Sequence, residues 1–213
     1  MKKAFSIVVI LLFFLVKGNA DSPPSWTPYK VESENGEFFS WVRFGDNDTT
    51  KSPWERKWAL IVYTKDSTEL WQQQIRPMGY PEGKLSNDGQ YFSYVNYWYY
   101  SDSPVVEVYR KGKKPITIIG DKFDIPTQYL QQTSSHQLWL ADKGYHYTNG
   151  TEQQLIIHTR DINTWSVDLV TGDLNVEGVN MNYVYVFLAS SIIITLLYIL
   201  YRKRGRITSA NKT

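Results

Sequence analysis

An uncharged stretch near the end of the chain constrains its fold and location more than any other feature. Residues 183–201 form 19 consecutive positions without Asp, Glu, Lys or Arg, and they are rich in Ile, Leu, Val and Tyr. A helix of this length rises about 28 Å, which matches the hydrocarbon core of a bilayer. Tyrosines lie at both ends, where their amphipathic rings suit the membrane interface. The stretch therefore predicts one transmembrane helix.

Basic residues on either side predict the orientation of the chain. Residues 202–213 begin with Arg-Lys-Arg-Gly-Arg, and such clusters remain on the cytoplasmic side of a membrane. Residues 1–20 combine two lysines, an apolar run of about 13 residues and small residues before a cleavage point, which is typical of a secretory signal peptide. We therefore expect residues 21–182 to form an extracytoplasmic domain, in a periplasm or on a cell surface.

Composition narrows the partners and the chemistry of this domain. Residues 21–182 contain all 21 acidic residues but only 15 of the 23 Lys and Arg, a net charge of −6. Such a charge repels polyphosphate, so we expect no nucleic-acid partner. The chain has no cysteine, which excludes disulfides, thiolate metal sites and cysteine nucleophiles. An exported domain without cysteine favours a bacterial envelope, although sequons at Asn47 and Asn149 point the other way.

Residues 33–42 and 86–95 are two copies of one pattern, 53 residues apart. Both read Ser-x-(Asn/Asp)-Gly-x-aromatic-Phe-Ser-aromatic-Val. The first half favours a tight turn with positive φ at glycine, and the second half is typical of a strand. Similar strand-like segments follow each copy at residues 59–63 and 105–109. Because a weaker third copy occurs at residues 137–169, we expect a mainly β domain of three antiparallel repeats.

The repeated pattern resembles the blade repeat of TolB-type and WD-type β-propellers and of the propeller domains of prolyl-oligopeptidase-type enzymes. This resemblance covers roughly residues 30–175 and implies blade-like antiparallel sheets, although the Trp-Asp dipeptide of the WD class is missing. Propellers usually need four to eight blades to close. Three repeats therefore imply a hidden fourth blade, a ring completed by two chains, or an open meander or β-sandwich. The hydrolase domain and G-x-S-x-G motif of the enzymes are absent.

No residue pattern predicts a catalytic, metal or cofactor site. His136, His146 and His158 are the only histidines, and none has metal-ligand spacing with a carboxylate companion. His146 lies in a loop-like Gly-Tyr-His-Tyr stretch, whereas His158 lies in a predicted strand. No glycine-framed nucleophilic serine and no phosphate-binding loop occurs. We expect a protein that uses no metal or cofactor and is not an enzyme, with an unrecognised hydrolase as the least favoured alternative.

Aromatic side chains are the candidates for a binding surface. Residues 91–100 read Tyr-Phe-Ser-Tyr-Val-Asn-Tyr-Trp-Tyr-Tyr, and strand alternation places aromatic rings on both faces. One face suits a core; the other is either buried between sheets or open to a partner, since Tyr and Trp are common at recognition surfaces. Two tryptophans beside Pro53, in an insertion of the first repeat, are a second candidate. The predicted surface comprises Trp54, Trp58, Tyr97, Trp98, Tyr99 and Tyr100.

These features together favour a membrane-anchored binding or scaffolding protein without enzymatic activity. Repeated β domains mostly act by presenting rigid surfaces, so the expected partner is another protein of the envelope. A carbohydrate-binding surface protein that uses aromatic platforms is the alternative. Assembly into a homo-oligomer also fits the short repeat number.

Overall fold

The computed structural model describes residues 24–76, 79–133, 136–148, 153–178 and 181–210. Within these ranges the chain is mainly β, as the sequence predicts, and it ends in one long helix. The predicted signal peptide, residues 1–20, and the sequon residue Asn149 lie outside the described residues.

Three four-stranded antiparallel sheets follow one another along the chain. Sheet 1 comprises β1 (Tyr29–Glu32), β2 (Phe38–Phe44), β3 (Trp58–Thr64) and β4 (Glu69–Ile75). Sheet 2 comprises β5 (Lys84–Leu85), β6 (Tyr91–Val95), β7 (Pro104–Arg110) and β8 (Lys113–Ile119). A small two-stranded sheet of β9 (Gln131–Gln132) and β10 (Gln137–Leu138) precedes sheet 3, which comprises β11 (Leu140–Tyr147), β12 (Gln154–Thr159), β13 (Thr164–Asp168) and β14 (Leu174–Glu177). Each large sheet is a simple meander, and none of the four closes on itself.

The repeated turn leads into β2 and β6 in the same way. Ser33 donates its backbone N–H to the carbonyl of Phe38 at 3.0 Å and accepts the Phe38 N–H on its hydroxyl at 3.0 Å. Ser86 makes the same two bonds to Tyr91, at 3.0 and 2.9 Å. The glycine of each copy has a φ near +70°, which explains why the pattern requires glycine there. Both predicted turns are therefore present.

Sheet 3 differs from the alignment that the sequence predicts. Residues 155–159 match the third strand of the earlier repeats, yet they lie in β12, the second strand of sheet 3. The two segments match in sequence because the same turn follows each of them. In this turn a threonine hydroxyl donates to an aspartate two residues later: Thr64 to Asp66 and Thr159 to Asp161. This turn joins strands three and four in sheet 1 but strands two and three in sheet 3.

Two hydrophobic cores hold the three sheets face to face. The core between sheets 1 and 2 contains Val42, Leu60, Val62 and Trp71 from one sheet and Leu85, Phe92, Tyr94 and Tyr109 from the other. The core between sheets 2 and 3 contains Val95, Val106, Val108, Ile116 and Ile118, packed on Tyr145, Tyr147, Leu155, Ile157, Trp165 and Val167. Sheet 2 is therefore covered on both faces, whereas sheets 1 and 3 are each covered on one.

Polar contacts join the first strands of neighbouring sheets or the segments beside them. The Tyr29 hydroxyl donates to the Glu82 carbonyl at 2.8 Å, which ties β1 to the segment before β5. The Tyr147 hydroxyl of β11 donates to the Lys84 carbonyl of β5 at 3.0 Å. The Lys84 ammonium also lies 3.7 Å from the Glu34 carboxylate. These contacts link the first strand of sheet 2 to the first strands of sheets 1 and 3.

The helix α1 spans Met181–Ala210. It covers the predicted uncharged stretch and continues into the basic tail as far as residue 210. Most of the side chains described in it are exposed, among them Val186, Phe187 and Ile194. Among the residues that the structure describes, no helix meets both the length and the apolarity that crossing a membrane requires.

Candidate functional site: an aromatic cleft beside sheet 2

The aromatic run leaves its sheet after Val95, which corrects the predicted alternation of residues 91–100. Asn96 is buried, and its side-chain carbonyl accepts the backbone N–H of Trp98 at 3.1 Å. An asparagine that bonds the backbone two residues later makes a local turn and interrupts a strand. Trp98 then pairs with Leu138 in an isolated antiparallel bridge. The last aromatic residues of the run therefore lie beside the small β9–β10 sheet.

The structure divides the six predicted surface residues into two groups. The three buried side chains are Trp58, Trp98 and Tyr99, with 3, 3 and 6% exposure. The three exposed side chains are Trp54, Tyr97 and Tyr100, with 62, 38 and 36% exposure. Trp58 is held inside by a hydrogen bond from its indole N–H to the Pro53 carbonyl at 2.9 Å. Only the exposed group is available to a partner.

Trp98 is the centre of an aromatic cluster that includes a histidine. Its ring stacks on the imidazole of His136, with centroids 4.7 Å apart and planes 24° apart. Tyr97 packs edge-on against Trp98 at 4.8 Å, and Tyr100 packs edge-on against His136 at 6.0 Å. The Trp98 indole donates to the Tyr80 hydroxyl at 2.7 Å. The sequence did not indicate His136 as a member of this site, because 38 residues separate it from Trp98.

A polar cleft of about 440 Å³ opens beside this cluster. It is lined by Tyr99, Tyr100, Ser101, Asp102, Thr127, Gln132, Thr133, His136 and Gln137. The lining thus combines an exposed aromatic ring with amide, hydroxyl and carboxylate groups that can bond a polar ligand. Pockets that combine a ring with a few placed polar groups are typical of ligand sites.

The wall of the cleft is held rigidly by buried contacts. The Tyr99 hydroxyl donates to the Gly120 carbonyl at 2.9 Å. Burial, helped by the nearby Asp121 and Asp124 carboxylates, raises the pKa of Tyr99, so this donor stays protonated. A Cβ at Gly120 would lie 2.0 Å from the Tyr100 carbonyl oxygen. Only glycine allows the backbone to approach Tyr100 this closely.

Tyr97 faces a second cleft and not the first. This cleft, of about 360 Å³, is lined by Tyr97, Glu82, Lys84, Leu140, Ala141, Asp142, Lys143, Gly144, Tyr145 and Arg160. Its lining mixes acidic and basic groups, and burial raises the pKa of the Glu82 carboxyl. The exposed rings of Tyr97 and Tyr100 therefore serve different clefts, and they do not form the single surface that the sequence predicts.

Two histidines meet on the uncovered face of sheet 3. His146 lies in β11 and not in the loop predicted from its neighbours, and its ring stacks on His158 with centroids 5.4 Å apart. Burial, then the nearby His146 and Lys143, lower the pKa of His158. Strand pairing brings these residues together across a hairpin, a relationship that spacing alone did not reveal. Within the described residues, no group of three metal-binding side chains occurs.

Comparison with known proteins adds no further site. No model of a known protein family matches the chain, and no curated protein matches its sequence. The aromatic cleft and the helix therefore supply the basis for a functional proposal.

Proposed function

We propose that this chain is a membrane-anchored binding protein, whose extracytoplasmic β domain presents the cleft beside Tyr100 to an envelope protein. The observation that carries the proposal is the pairing of an exposed ring with a rigid polar cleft. Tyr100 and the cleft are held by Tyr99, Trp98 and His136, so a partner would meet a preformed surface. Preformed surfaces lose little conformational entropy on binding.

The chemistry of the helix supports the membrane anchor. Residues 183–201 contain no charged residue, and basic residues follow at once. The serine and threonine hydroxyls between residues 184 and 199 each donate to the carbonyl four residues earlier: Ser190 to Val186, Ser191 to Phe187 and Thr195 to Ser191, at 2.7 to 2.8 Å. Polar groups satisfied within their own helix are compatible with lipid, where no water is available.

Membrane extraction and a topology reporter test the anchor. We expect the full chain to stay with membranes after carbonate washing, and a reporter fused after Thr213 to be active only in the cytoplasm. A variant carrying Ile193→Arg and Leu196→Arg should wash off, because charges in mid-helix oppose insertion. Release of the unaltered chain by carbonate, or an active reporter outside the cell, would contradict the anchor.

We also propose that the three sheets are arranged like successive blades of a propeller. Face-to-face packing of successive meanders, with their first strands joined through Tyr29, Lys84 and Tyr147, supports an open arc of blades. Such an arc is a rigid scaffold for the cleft. Its shape could be measured by small-angle scattering from the full chain in a matched-out detergent, where a sandwich of two sheets would give a more compact profile.

The binding proposal is tested by replacing Tyr100. Tyr100→Ala removes the exposed ring from the cleft, and Trp54→Ala is a matched control because Trp54 is exposed outside it. We expect a stoichiometric envelope protein to co-purify with the unaltered chain and with the Trp54 variant. Tyr100→Ala should weaken this association at least tenfold. Equal recovery with both variants would refute the cleft as the binding site.

A glycan is the second candidate ligand, and the cleft lining favours it specifically. Gln132, Gln137 and Asp102 offer hydrogen-bond partners for sugar hydroxyls beside the Tyr100 ring. Glycan-array binding that is lost in Tyr100→Ala and in Gln137→Ala would support this ligand over a protein. Trp98→Ala is unsuitable for this test, because Trp98 is buried and its loss would disturb the fold.

The proposal that the protein is not an enzyme can be tested at the same cleft. Ser101, Asp102 and His136 all line it, so an unrecognised hydrolase would most plainly use Ser101 as nucleophile. We expect no labelling by a fluorophosphonate probe. Labelling that disappears in Ser101→Ala would overturn the non-enzymatic proposal.

A further inference from the structure

The uncovered face of sheet 1 repeats a buried interface of sheet 2. In the repeat, Phe39, Trp41 and Tyr63 of sheet 1 correspond to Phe92, Tyr94 and Tyr109 of sheet 2. The three residues of sheet 2 are 0, 1 and 2% exposed, because sheet 1 packs on them. In sheet 1, Phe39 and Tyr63 are half-buried, and Trp41 is 40% exposed. The first sheet therefore carries an aromatic packing face that no described residue covers.

The rings on this face are already arranged for packing. Phe39 and Tyr63 stack with centroids 5.1 Å apart and planes 17° apart. The Lys30 ammonium lies 4.4 Å from the centre of the Phe39 ring. Trp41 lies beside Ile61 in register, and the Ile61 side chain is buried beneath its neighbours. Contiguous apolar faces of this kind usually mark an interface.

The uncovered face of sheet 3 has a different character. Its outward positions on β12 and β13 include His158, Thr164 and Ser166, with Ile156 as the main apolar residue. By contrast, the inner face of sheet 1, which covers the equivalent rings of sheet 2, is rich in Val, Leu and Trp. A head-to-tail ring, with sheet 3 of one chain on sheet 1 of another, would thus oppose an aromatic face to a polar one. The best-matched apolar face on this chain is that of sheet 1 itself.

The charges on sheet 1 make its face self-complementary. At one end of the strands, the row that contains Phe39 and Tyr63 is flanked by Glu32 and Glu69. At the other end, Arg43 lies in register with Ala59. If two such faces meet about a two-fold axis that runs along the row of Trp41 and Ile61, Arg43 of each copy lies over the Phe39 ring of the other, between the Glu32 and Glu69 positions. Glu32 also pairs with Lys30 of its own chain at 2.6 Å. A two-fold interface requires this kind of self-complementarity.

We propose that the outer face of sheet 1 is a homodimer interface, with Trp41 of two copies packed near a two-fold axis. The face measures roughly 19 by 23 Å, from strand spacings of ~4.8 Å and rises of ~3.3 Å per residue. This is smaller than the ~800 Å² per partner of a standard interface, so we expect a dimer that dissociates in the micromolar range. The dimer is independent of the ligand in the cleft, because the cleft is lined by the segment after β6 and by the β9–β10 sheet and includes no residue of sheet 1.

Single-cysteine cross-linking tests this interface, because the natural chain contains no cysteine. A residue on a two-fold axis between two packed sheets lies about 10 Å from its own copy. A disulfide spans a Cα separation of only about 7 Å, so the test uses a short bis-maleimide linker. We expect Lys30→Cys, which lies in register with Trp41 and leaves its ring intact, to be cross-linked by this linker into dimers of the full chain in detergent. Ser166→Cys, at the middle of the uncovered face of sheet 3, is the matched control and should remain monomeric.

Mass measurement supplies the second readout. Light scattering of the full chain at about 50 μM should give a dimer, and Trp41→Glu should give a monomer, whereas Trp54→Glu should leave the dimer intact. Three results would overturn the proposal: a monomeric natural chain at this concentration, cross-linking of Ser166→Cys as efficient as that of Lys30→Cys, or cross-linking only in a mixture of the two variants. The last result would indicate a head-to-tail ring.

Discussion

Asn35 and Asn87 join the two copies of the repeated turn by two hydrogen bonds. The backbone N–H of Asn35 donates to the Asn87 side-chain oxygen at 2.8 Å, and the Asn35 amide donates to the Asn87 carbonyl at 2.9 Å. Close by, the Trp71 indole of sheet 1 donates to the Gly89 carbonyl of the second turn at 2.7 Å. The repeat therefore does more than produce similar strands, because its turns fasten sheet 1 to sheet 2.

Alanine at the two repeated glycines should have unequal effects on stability. Gly36 and Gly89 both have positive φ, which costs a residue with a Cβ about 1–2 kcal/mol. A Cβ at Gly36 meets nothing within 4 Å, whereas one at Gly89 lies 2.8 Å from the Phe38 ring. We expect Gly89→Ala to lower the free energy of unfolding by about 1–3 kcal/mol more than Gly36→Ala, since overpacking displaces Phe38.

Urea unfolding of the full chain in detergent, followed by tryptophan fluorescence, measures this difference. Gly112→Ala is the control, because Gly112 also has positive φ and open space around it. It should match Gly36→Ala. Equal losses at Gly36 and Gly89 would show that the contact between the second turn and Phe38 is unimportant.

Replacing Trp98 and Tyr100 should separate folding from binding. Trp98 is buried, stacks on His136 and donates to Tyr80, so Trp98→Ala should lower the free energy of unfolding by about 3–5 kcal/mol. Tyr100 is exposed over a third of its surface, so Tyr100→Ala should cost about 1 kcal/mol or less. Denaturant unfolding checks both values. A large loss of stability in Tyr100→Ala would mean that the ring supports the fold and is not primarily a contact surface.

The sequence predicts local elements well where one pattern repeats with its turn chemistry. The Ser-x-(Asn/Asp)-Gly turns are found before β2 and β6, because serine and glycine there satisfy one backbone geometry in both places. The prediction is poorer where one side chain redirects the chain. Asn96 ends β6 through its bond to Trp98, and no periodicity in residues 91–100 reveals that bond.

Sites formed between distant segments could not be predicted from spacing. The Trp98–His136 stack depends on the bridge between Trp98 and Leu138, and the His146–His158 pair depends on the register of β11 with β12. Both are consequences of pairing between strands that no local signal specifies. Trp58 is buried because it begins β3 and alternates with Leu60 and Val62 on the core face, and not because of the insertion in which the sequence analysis placed it.

The stability of sheet 3 should depend on pH through His158. Burial and the neighbouring His146 and Lys143 hold the folded-state pKa of His158 below the value of about 6.5 in the unfolded chain. A group with a lowered basic pKa binds more protons when unfolded, so the stability it contributes is present above pH ~6.5 and declines as pH falls toward the folded pKa. We expect His158→Gln to make the free energy of unfolding less dependent on pH in this range.

An NMR titration of the His158 ring provides the direct measurement. Its midpoint should lie below that of an unstructured histidine, and His146→Gln should move it upward by removing one of the causes. A midpoint at or above 6.5 in the natural chain would contradict the pairing of the two rings.

Glu107 should destabilise the protein at neutral pH. The residue is 8% exposed between sheets 1 and 2, where burial raises the pKa of its carboxyl despite a hydrogen bond from the Tyr109 hydroxyl at 2.8 Å and the nearby Arg76. Because the folded state holds this proton more tightly than the unfolded state, stability is highest below the unfolded pKa of about 4.5 and falls as pH rises through the folded pKa. Glu107→Gln keeps an oxygen that accepts from Tyr109 and removes the buried charge.

The glutamine variant should therefore be more stable than the natural chain at pH 7, and the difference should vanish near pH 4. Glu32 offers a control of opposite sign, since a hydrogen bond from Lys30 lowers its pKa at the surface. Glu32→Gln should give no gain at pH 7. Urea unfolding at pH 4, 5.5 and 7 distinguishes the two. If Glu107→Gln is less stable than the natural chain at pH 7, the ionised carboxylate must be favourably solvated or paired between the sheets, and the interface is more open than its buried rings indicate.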